Sequence, residues 1–102
     1  MSEAEVIEVS GGRLAINGEL TFASVPLLWE RYCDRFSGKA ELDIDLSGVQ
    51  RSDSAGLALL VECVRQAHQT GKSIRFFNIP AHMLAIARVR SLDQVLPLHR
   101  DT

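Results

Sequence analysis

The sequence is poor in cysteine, which limits the chemistry that the chain can support. Only two cysteines occur in 102 residues. Cys33 and Cys63 both lie in strongly apolar, helix-like segments, and no Cys-x-x-Cys or His-x-x-x-His spacing is present. Buried, reduced thiols are typical of such positions. We therefore predict neither a disulfide nor a metal site.

Long hydrophobic runs are also missing. No uninterrupted apolar run exceeds five residues, the length of residues 57–61, whereas a membrane-spanning helix needs about 20. The first five residues, MSEAE, are acidic and lack the basic start and apolar segment of a signal peptide. We expect a cytoplasmic protein with no direct membrane insertion.

The chain has no excess of positive charge. Eleven Lys and Arg stand against 13 Asp and Glu, the net charge is −2, and there is no basic tract. This balance disfavours binding to nucleic acid. The 46% hydrophobic and 24% charged residues are typical of a globular protein, and area scaling predicts that about 65% of the surface is buried on folding. We predict a single domain over residues 1–102.

Short apolar and alternating runs, separated by glycine and proline, indicate the order of elements. Segments 6–9 and 13–16 flank Ser10-Gly11-Gly12 and predict a hairpin. The remaining pattern predicts a helix from the N-cap Ser24 to a stop at Gly38, a strand over 41–47, a helix from about Asp53 to Thr70, a strand over 74–79, a helix from Pro80 to about Arg90 and an edge strand over 95–98. The order β-β-α-β-α-β-α-β implies an α/β fold with a small, mixed, mostly parallel sheet.

Catalytic motifs are sparse. Asp43 and Asp45 end a strand, as in magnesium-dependent phosphatases of the haloacid-dehalogenase type, but the only Lys after that strand is Lys72 and Asp93 is isolated. A solvated strand face explains the two carboxylates equally well. The sequence has no Gly-x-Ser-x-Gly elbow and no nucleotide-binding glycine loop, and His68 fits a partly buried structural histidine. We predict a protein that is not an enzyme and needs no cofactor or metal.

The start of the second predicted helix is the strongest candidate for a binding surface. Asp53 and Ser54 lie where unpaired N–H groups and the positive end of the helix dipole meet, which plain capping also explains. On a helical wheel Leu60, Val64, Ala67 and His68 cluster with Leu57, whereas Leu59 points away from that stripe. An apolar side chain off the core face, beside a hydroxyl, indicates a protein-docking surface.

Three short motifs resemble the STAS domains, the family of anti-sigma-factor antagonists and sulphate-transporter C-terminal domains. They are Asn17-Gly18-Glu19-Leu20, Leu46-Ser47-Gly48-Val49 and Asp53-Ser54-Ala55-Gly56-Leu57. Their order and spacing carry the resemblance, which spans about residues 13–98. It implies the STAS fold, a small sheet covered on one face by helices.

Two branches of this family imply different functions. In anti-sigma factor antagonists the matching serine, here Ser54, is phosphorylated by an anti-sigma factor serine kinase. A phosphate would place about −1.5 to −2 charges beside Asp53 and switch binding off. In the other branch, the small STAS subunit of the Mla (maintenance of lipid asymmetry) ABC transporter docks the same helix start on the cytoplasmic ATPase.

Residues in the first predicted helix, and those directly before Asp53, favour the transporter branch. Pro26-Leu27-Leu28-Trp29-Glu30 is similar to that subunit's Pro-Leu-Trp-Glu, and Arg51-Ser52 stands where antagonists have apolar residues. Ser54 and Ala55 stand where the subunit typically has Thr and Gly.

The resemblance implies a partner-binding set and a place in the cell. Ser54 would supply a central hydroxyl, Leu59 an apolar contact and Arg51 a rim charge. The whole predicted set is Arg51, Ser52, Asp53, Ser54, Ala55 and Leu59. The partner would be an ATPase subunit in a complex with a permease, and the chain would lie peripheral to the inner membrane through that complex. Its function would be to support phospholipid transport that maintains outer-membrane lipid asymmetry.

Overall fold

The computed structural model describes residues 4–37 and 40–101. Three helices form at the predicted places: α1 (Val25–Ser37), α2 (Ser54–Gln69) and α3 (Ala81–Val89). The predicted helix stop at Gly38 lies outside the described residues. The strands are β1 (Glu5–Glu8), β2 (Leu14–Leu20), β3 (Glu41–Asp45), β4 (Val49–Ser52), β5 (Ser73–Phe77) and β6 (Leu98–His99).

The six strands form one mixed sheet in the order β1-β2-β3-β5-β6, with β4 beside β2. The β1–β2 pair is an antiparallel hairpin that turns through a 3-10 helix at Ser10–Gly12, and every other pairing is parallel. This confirms the predicted mixed, mostly parallel sheet. The C-terminal edge strand is shifted from the predicted 95–98, because Leu98 pairs with Phe76 and Pro97 contributes only its carbonyl, which accepts the Phe76 N–H at 2.9 Å.

Strand β4 is absent from the sequence prediction. β2 is long enough to pair with β3 through Leu14 and Ala15, and then with β4 from Gly18 onward. Of the four β4 residues only Val49 is buried. A strand this short and polar has no apolar alternation for a sequence pattern to detect.

Close backbone packing joins β2 to the loop before β4. The Gly18 N–H donates to the Gly48 carbonyl at 3.0 Å. A Cβ atom on Gly48 would lie 1.8 Å from Oδ1 of Asn17. The Asn17 side chain thus fits only because residue 48 is glycine. This contact places the C-terminal ends of β2 and β4 side by side beneath the start of α2.

The core lies between the sheet and the helices. Alternate residues of β3 and β5 are buried, and the largest wholly buried side chain is Phe76. Other fully buried core side chains are Leu14, Ile16, Leu20, Leu28, Ile44, Leu57, Leu60 and Met83. Most of the intervening residues of these two strands are charged, and Arg75 pairs with Asp43 at 2.9 Å. Arg13, just before β2, places its guanidinium 3.8 Å from the centre of the Phe77 ring.

Helix α2 buries a different face from the predicted one. Leu59 is only 3% exposed, whereas Val61 is 39% exposed and His68 is exposed. Both α1 and α3 pack against α2, so its buried arc includes Leu59 and is rotated by roughly 80° from the arc that its apolar residues suggested. The prediction of Leu59 as a surface contact is wrong, as is the prediction of His68 as a partly buried structural residue.

Candidate functional site

Asp53 organises the start of α2. It is the N-cap, and its Oδ1 accepts the Ala55 N–H at 2.8 Å. Its Oδ2 accepts the N–H of Phe22, in the loop between β2 and α1, at 3.2 Å. The Asp53 N–H in turn donates to the Leu20 carbonyl at 3.1 Å. One carboxylate therefore satisfies a helix N–H that would otherwise be unpaired and fixes a neighbouring loop.

Gly56 allows α2 to approach β2 closely. A Cβ atom at this position would lie 2.1 Å from Oγ of Ser52 and 3.0 Å from Cβ of Leu20. The Ser52 hydroxyl donates to the Asp53 carbonyl at 2.9 Å. The Asp-Ser-x-Gly motif thus combines a cap, an outward hydroxyl and a residue small enough for close contact.

The loop that carries Phe22 is braced from both sides. The Ser24 hydroxyl accepts the Thr21 N–H at 2.9 Å and donates to the Glu19 carbonyl. Ser24 directly precedes α1, as predicted, and its carbonyl accepts the Leu28 N–H. Its hydroxyl, however, does not cap the helix N–H groups but bonds within this loop. The Phe22 ring is nevertheless 73% exposed.

An open groove of about 460 Å³ begins at Ser54. We call it the Phe22 groove. It runs between the start of α2 and the end of α3. Its lining residues are Phe22, Ser54, Ala55, Leu57, Ala58, Ile86, Arg90 and Leu92. Ser54 is half-buried, and no group among the described residues bonds to its hydroxyl. That hydroxyl is thus available to a partner.

Unpaired positive charge lies around this end of the molecule. Arg51 and Arg90 are exposed, and within residues 4–37 and 40–101 neither has an acidic group within ion-pair distance. Arg13, Arg65 and Arg75, by contrast, are paired with Asp101, Glu62 and Asp43.

The structure brings most of the predicted site residues together. Arg51 is exposed at the end of β4, Ser52, Asp53 and Ser54 are half-buried, and Ala55 is 8% exposed in the wall of the groove. Leu59 lies in the core. Phe22, Ile86 and Arg90 are absent from the predicted set because they come from two other segments of the chain. The only sequence signal for Phe22 is that an aromatic residue stands in a turn, where it belongs to no apolar repeat of a strand or helix.

The carboxylates considered for phosphatase chemistry have structural contacts. Asp43 accepts two hydrogen bonds from the Arg75 guanidinium, at 3.0 and 2.9 Å. Asp45 Oδ1 accepts the Ser47 N–H at 2.9 Å. Across the described ranges, no three His, Cys, Asp or Glu side chains are grouped so that they could hold a metal ion.

Cys63 is a buried thiol, and burial raises its pKa to about 12. A thiol with so high a pKa carries almost no thiolate at neutral pH, and the thiolate is the nucleophilic form. Both cysteines are free.

None of the helices in the described ranges combines the length and the apolar character that a membrane span requires.

Comparison with known proteins identifies relatives over almost the whole chain. The family model described as "Mlab, STAS domain" matches residues 4–98. The intermembrane phospholipid transport system binding protein MlaB of Escherichia coli (strain K12) is 33% identical over 98 residues, which cover 95% of this chain and 99% of the relative. The protein of the same name from Shigella flexneri matches equally well.

Solved structures share the fold at lower identity. An anti-sigma factor antagonist from Mycobacterium paratuberculosis superposes with a TM-score of 0.78 at 20% identity, covering 97% of this chain and 86% of that one. The anti-sigma factor antagonist SpoIIAA in its unphosphorylated form gives a TM-score of 0.73 at 14% identity, covering 97% and 88%. The match to the family model, the full-length relatives and the shared fold lead to one conclusion: the chain belongs to the Mlab family of STAS domains.

Proposed function

We propose that this protein is a non-enzymatic STAS subunit that binds the ATPase of an Mla-type ABC transporter. In this role it supports the assembly and activity of a system for phospholipid transport that maintains outer-membrane lipid asymmetry. The observation that carries the proposal is the 33% identity, over 95% of this chain, to a protein named for intermembrane phospholipid transport.

The start of α2 is the proposed docking site. Arg51, Ser52, Asp53, Ser54 and Ala55 lie at one end of the molecule, with the Ser54 hydroxyl unbonded among the described residues. Asp53 fixes this segment before any partner arrives, so little conformational entropy is lost on binding. Leu59 supports the site only from the core, where it is 3% exposed.

The subunit would act through binding energy alone. A protein that binds the assembled form of its partner stabilises that form in proportion to its occupancy. This needs no reactive group in the chain, and it fits the structural contacts of Asp43 and Asp45. We propose that the chain reaches the cytoplasmic side of the inner membrane through this partner and its permease.

Co-purification with the Mla-type ATPase of the same organism tests the proposal, with Ser54→Glu as the disruptive variant. A glutamate in the first turn interacts favourably with the helix dipole, so the melting temperature should be retained while a bulky charge blocks the docking site. We expect Ser54→Glu to lose the ATPase and Ser54→Thr to retain it.

Ser10→Glu is the matched control, because Ser10 is an exposed serine at the opposite end of β2. It should co-purify like the wild type. Recovery of a wild-type amount of complex with Ser54→Glu would overturn the docking site, and failure of the wild-type chain to bind the ATPase would overturn the function.

A second candidate is an anti-sigma factor antagonist regulated by phosphorylation of Ser54. The observation that favours it is the half-buried Ser54 hydroxyl, unbonded in the described ranges, at the edge of an open groove. Incubation of the chain with native cell extract and ATP should then add one phosphate, located at Ser54 by mass spectrometry. Unmodified protein under conditions that phosphorylate a known antagonist would exclude this candidate.

A further inference from the structure

The Phe22 groove has an exposed aromatic wall that is held in place before binding. Phe22 is 73% exposed, yet its backbone N–H is bonded to Asp53 and the adjacent Thr21–Ser24 turn is closed by the Ser24 hydroxyl. Rigid, exposed aromatic side chains contribute strongly to protein interfaces because few rotamers are lost on binding.

The opposite wall combines apolar side chains with a cation. Ile86 and Leu92 are half-buried, and Arg90 lies at the end of α3 without an ion-pair partner in the described residues. Among the described residues, no acidic side chain lies within ion-pair distance of the Arg90 guanidinium. The positive charge at the rim therefore has no direct ion-pair partner within the site.

These features restrict what can cover the groove. An apolar side chain would fill the space between the Phe22 ring and Ile86. Covering Arg90 removes its guanidinium from water, and a buried charge without a partner is strongly destabilising. An occupant must therefore bring a carboxylate to Arg90 together with its apolar group.

We propose that the Phe22 groove receives a peptide segment of the partner ATPase in which an apolar side chain is followed closely by Asp or Glu. This inference rests on the function proposed above and specifies the partner's chemistry at the same site. Arg51, which is also unpaired within the described chain, would attract a further acidic residue of the same segment. A peptide is favoured over an anionic membrane because the site is concave and the whole chain has a net charge of −2, which opposes adhesion to anionic lipid.

The test measures the affinity of the full-length chain for the purified ATPase by isothermal titration calorimetry. We expect Phe22→Ala and Arg90→Gln each to weaken binding at least tenfold. The wild-type affinity should fall as NaCl is raised from 50 to 500 mM, and Arg90→Gln should reduce that dependence, because salt screens the long-range attraction between Arg90 and the acidic segment as the two approach.

Two residues of α1 provide matched controls. Leu27 is 57% exposed and Arg31 is exposed, and neither lines the groove. Leu27→Ala and Arg31→Gln should leave affinity within twofold of the wild type. Melting temperatures within a few degrees of the wild type would show that every variant remains folded.

The outcomes separate this inference from the function on which it rests. If Ser54→Glu abolishes binding while Phe22→Ala and Arg90→Gln leave it unchanged, the docking site stands and the groove assignment is overturned. If the wild type does not bind the ATPase, the proposed function is overturned, and this inference is overturned with it. Sedimentation of the wild type, but not Arg90→Gln, with phosphatidylglycerol vesicles would overturn the peptide assignment in favour of a lipid surface.

Discussion

The Asp53 carboxylate is hydrogen-bonded to the backbone N–H of Phe22, 31 positions earlier in the chain, at 3.2 Å. The same carboxylate caps α2 through the Ala55 N–H. The local motif that begins the helix therefore also sets the position of an exposed aromatic ring in another loop. Stability and binding are linked at this residue.

Replacement of Asp53 by alanine should reduce both properties. Loss of an N-cap costs about 1–2 kcal/mol of unfolding free energy, and release of the Phe22 loop should weaken partner binding further. Asp53→Asn keeps an oxygen that can accept one of the two N–H groups, so it should lose less stability. Urea unfolding of the three proteins measures this order, and equal stability of Asp53→Ala and the wild type would contradict it.

Much of the fold could be predicted because its signals are local. The alternation of Leu42 and Ile44 with charged residues identifies β3 without knowledge of its neighbours, and glycines at 11 and 12 indicate the hairpin turn. β4 could not be predicted from the sequence pattern, because its conformation depends on pairing with Gly18–Leu20 of β2. Tertiary pairing, rather than intrinsic propensity, makes that segment a strand.

The orientation of α2 could not be obtained from its own sequence. Apolar residues occur around most of its circumference, and a helix that packs against a sheet and two other helices buries a wide arc. Neither Leu59 nor Val61 could be assigned to a face without knowing where α1 and α3 lie.

Only the part of the site that is local in sequence could be predicted. Asp53 and Ser54 were found because capping follows from nearest neighbours, whereas the Phe22 groove joins segments that are distant in sequence.

The burial of Leu59 gives a test of its corrected role. Leu59→Ala should cost about 2–4 kcal/mol of unfolding free energy, because it removes packed methyl groups and leaves a cavity. Val61→Ala, on the same helix but 39% exposed, should change stability by less than about 1 kcal/mol. Chemical denaturation measures both. A Leu59→Ala protein of unchanged stability that lost only the partner would instead place this side chain at the surface.

Acid stability should depend on Asp101. The Arg13 guanidinium, and then the Asn78 amide, hold the pKa of this carboxyl below its usual value of 3.8. A carboxyl whose pKa is lower in the folded state stabilises the fold above its unfolded pKa, and that stabilisation is lost as the pH falls through the folded value. The contribution is therefore complete at neutral pH, begins to fall below about pH 4 and is lost once the pH is below the folded pKa.

Asp101→Asn should accordingly be less stable than the wild type at pH 7, and the difference should shrink as the pH approaches 2. Urea unfolding at a series of pH values measures it. A difference that stayed constant with pH would show that the ionised carboxylate is not responsible. Arg65→Gln, which removes the ion pair with Glu62 on another face of the protein, should show the same kind of pH dependence, because Arg65 lowers the pKa of Glu62.

The high pKa of Cys63 predicts low reactivity. Desolvation first, and then the nearby Glu62 charge, raises it to about 12, so at pH 8 the thiolate fraction is about 10⁻⁴. Iodoacetamide should modify Cys63 only after unfolding, whereas the half-buried Cys33 should react in the native protein. Mass spectrometry of tryptic peptides distinguishes the two sites, and rapid native labelling of Cys63 would be inconsistent with its burial.

Gly56 offers the sharpest test of close packing beneath the docking site. Gly56→Ala would place Cβ 2.1 Å from Oγ of Ser52 and 3.0 Å from Cβ of Leu20, and overpacking of this kind costs about 1–3 kcal/mol. The Ser52 hydroxyl can be removed, so Ser52→Ala should restore part of the loss in the double variant. Gly71→Ala is the control: nothing lies within 4 Å of its Cβ position, and only its positive φ opposes the change, by about 1–2 kcal/mol. If Ser52→Ala and Gly56→Ala were simply additive in urea unfolding, the contact between them would not limit how closely α2 approaches β2.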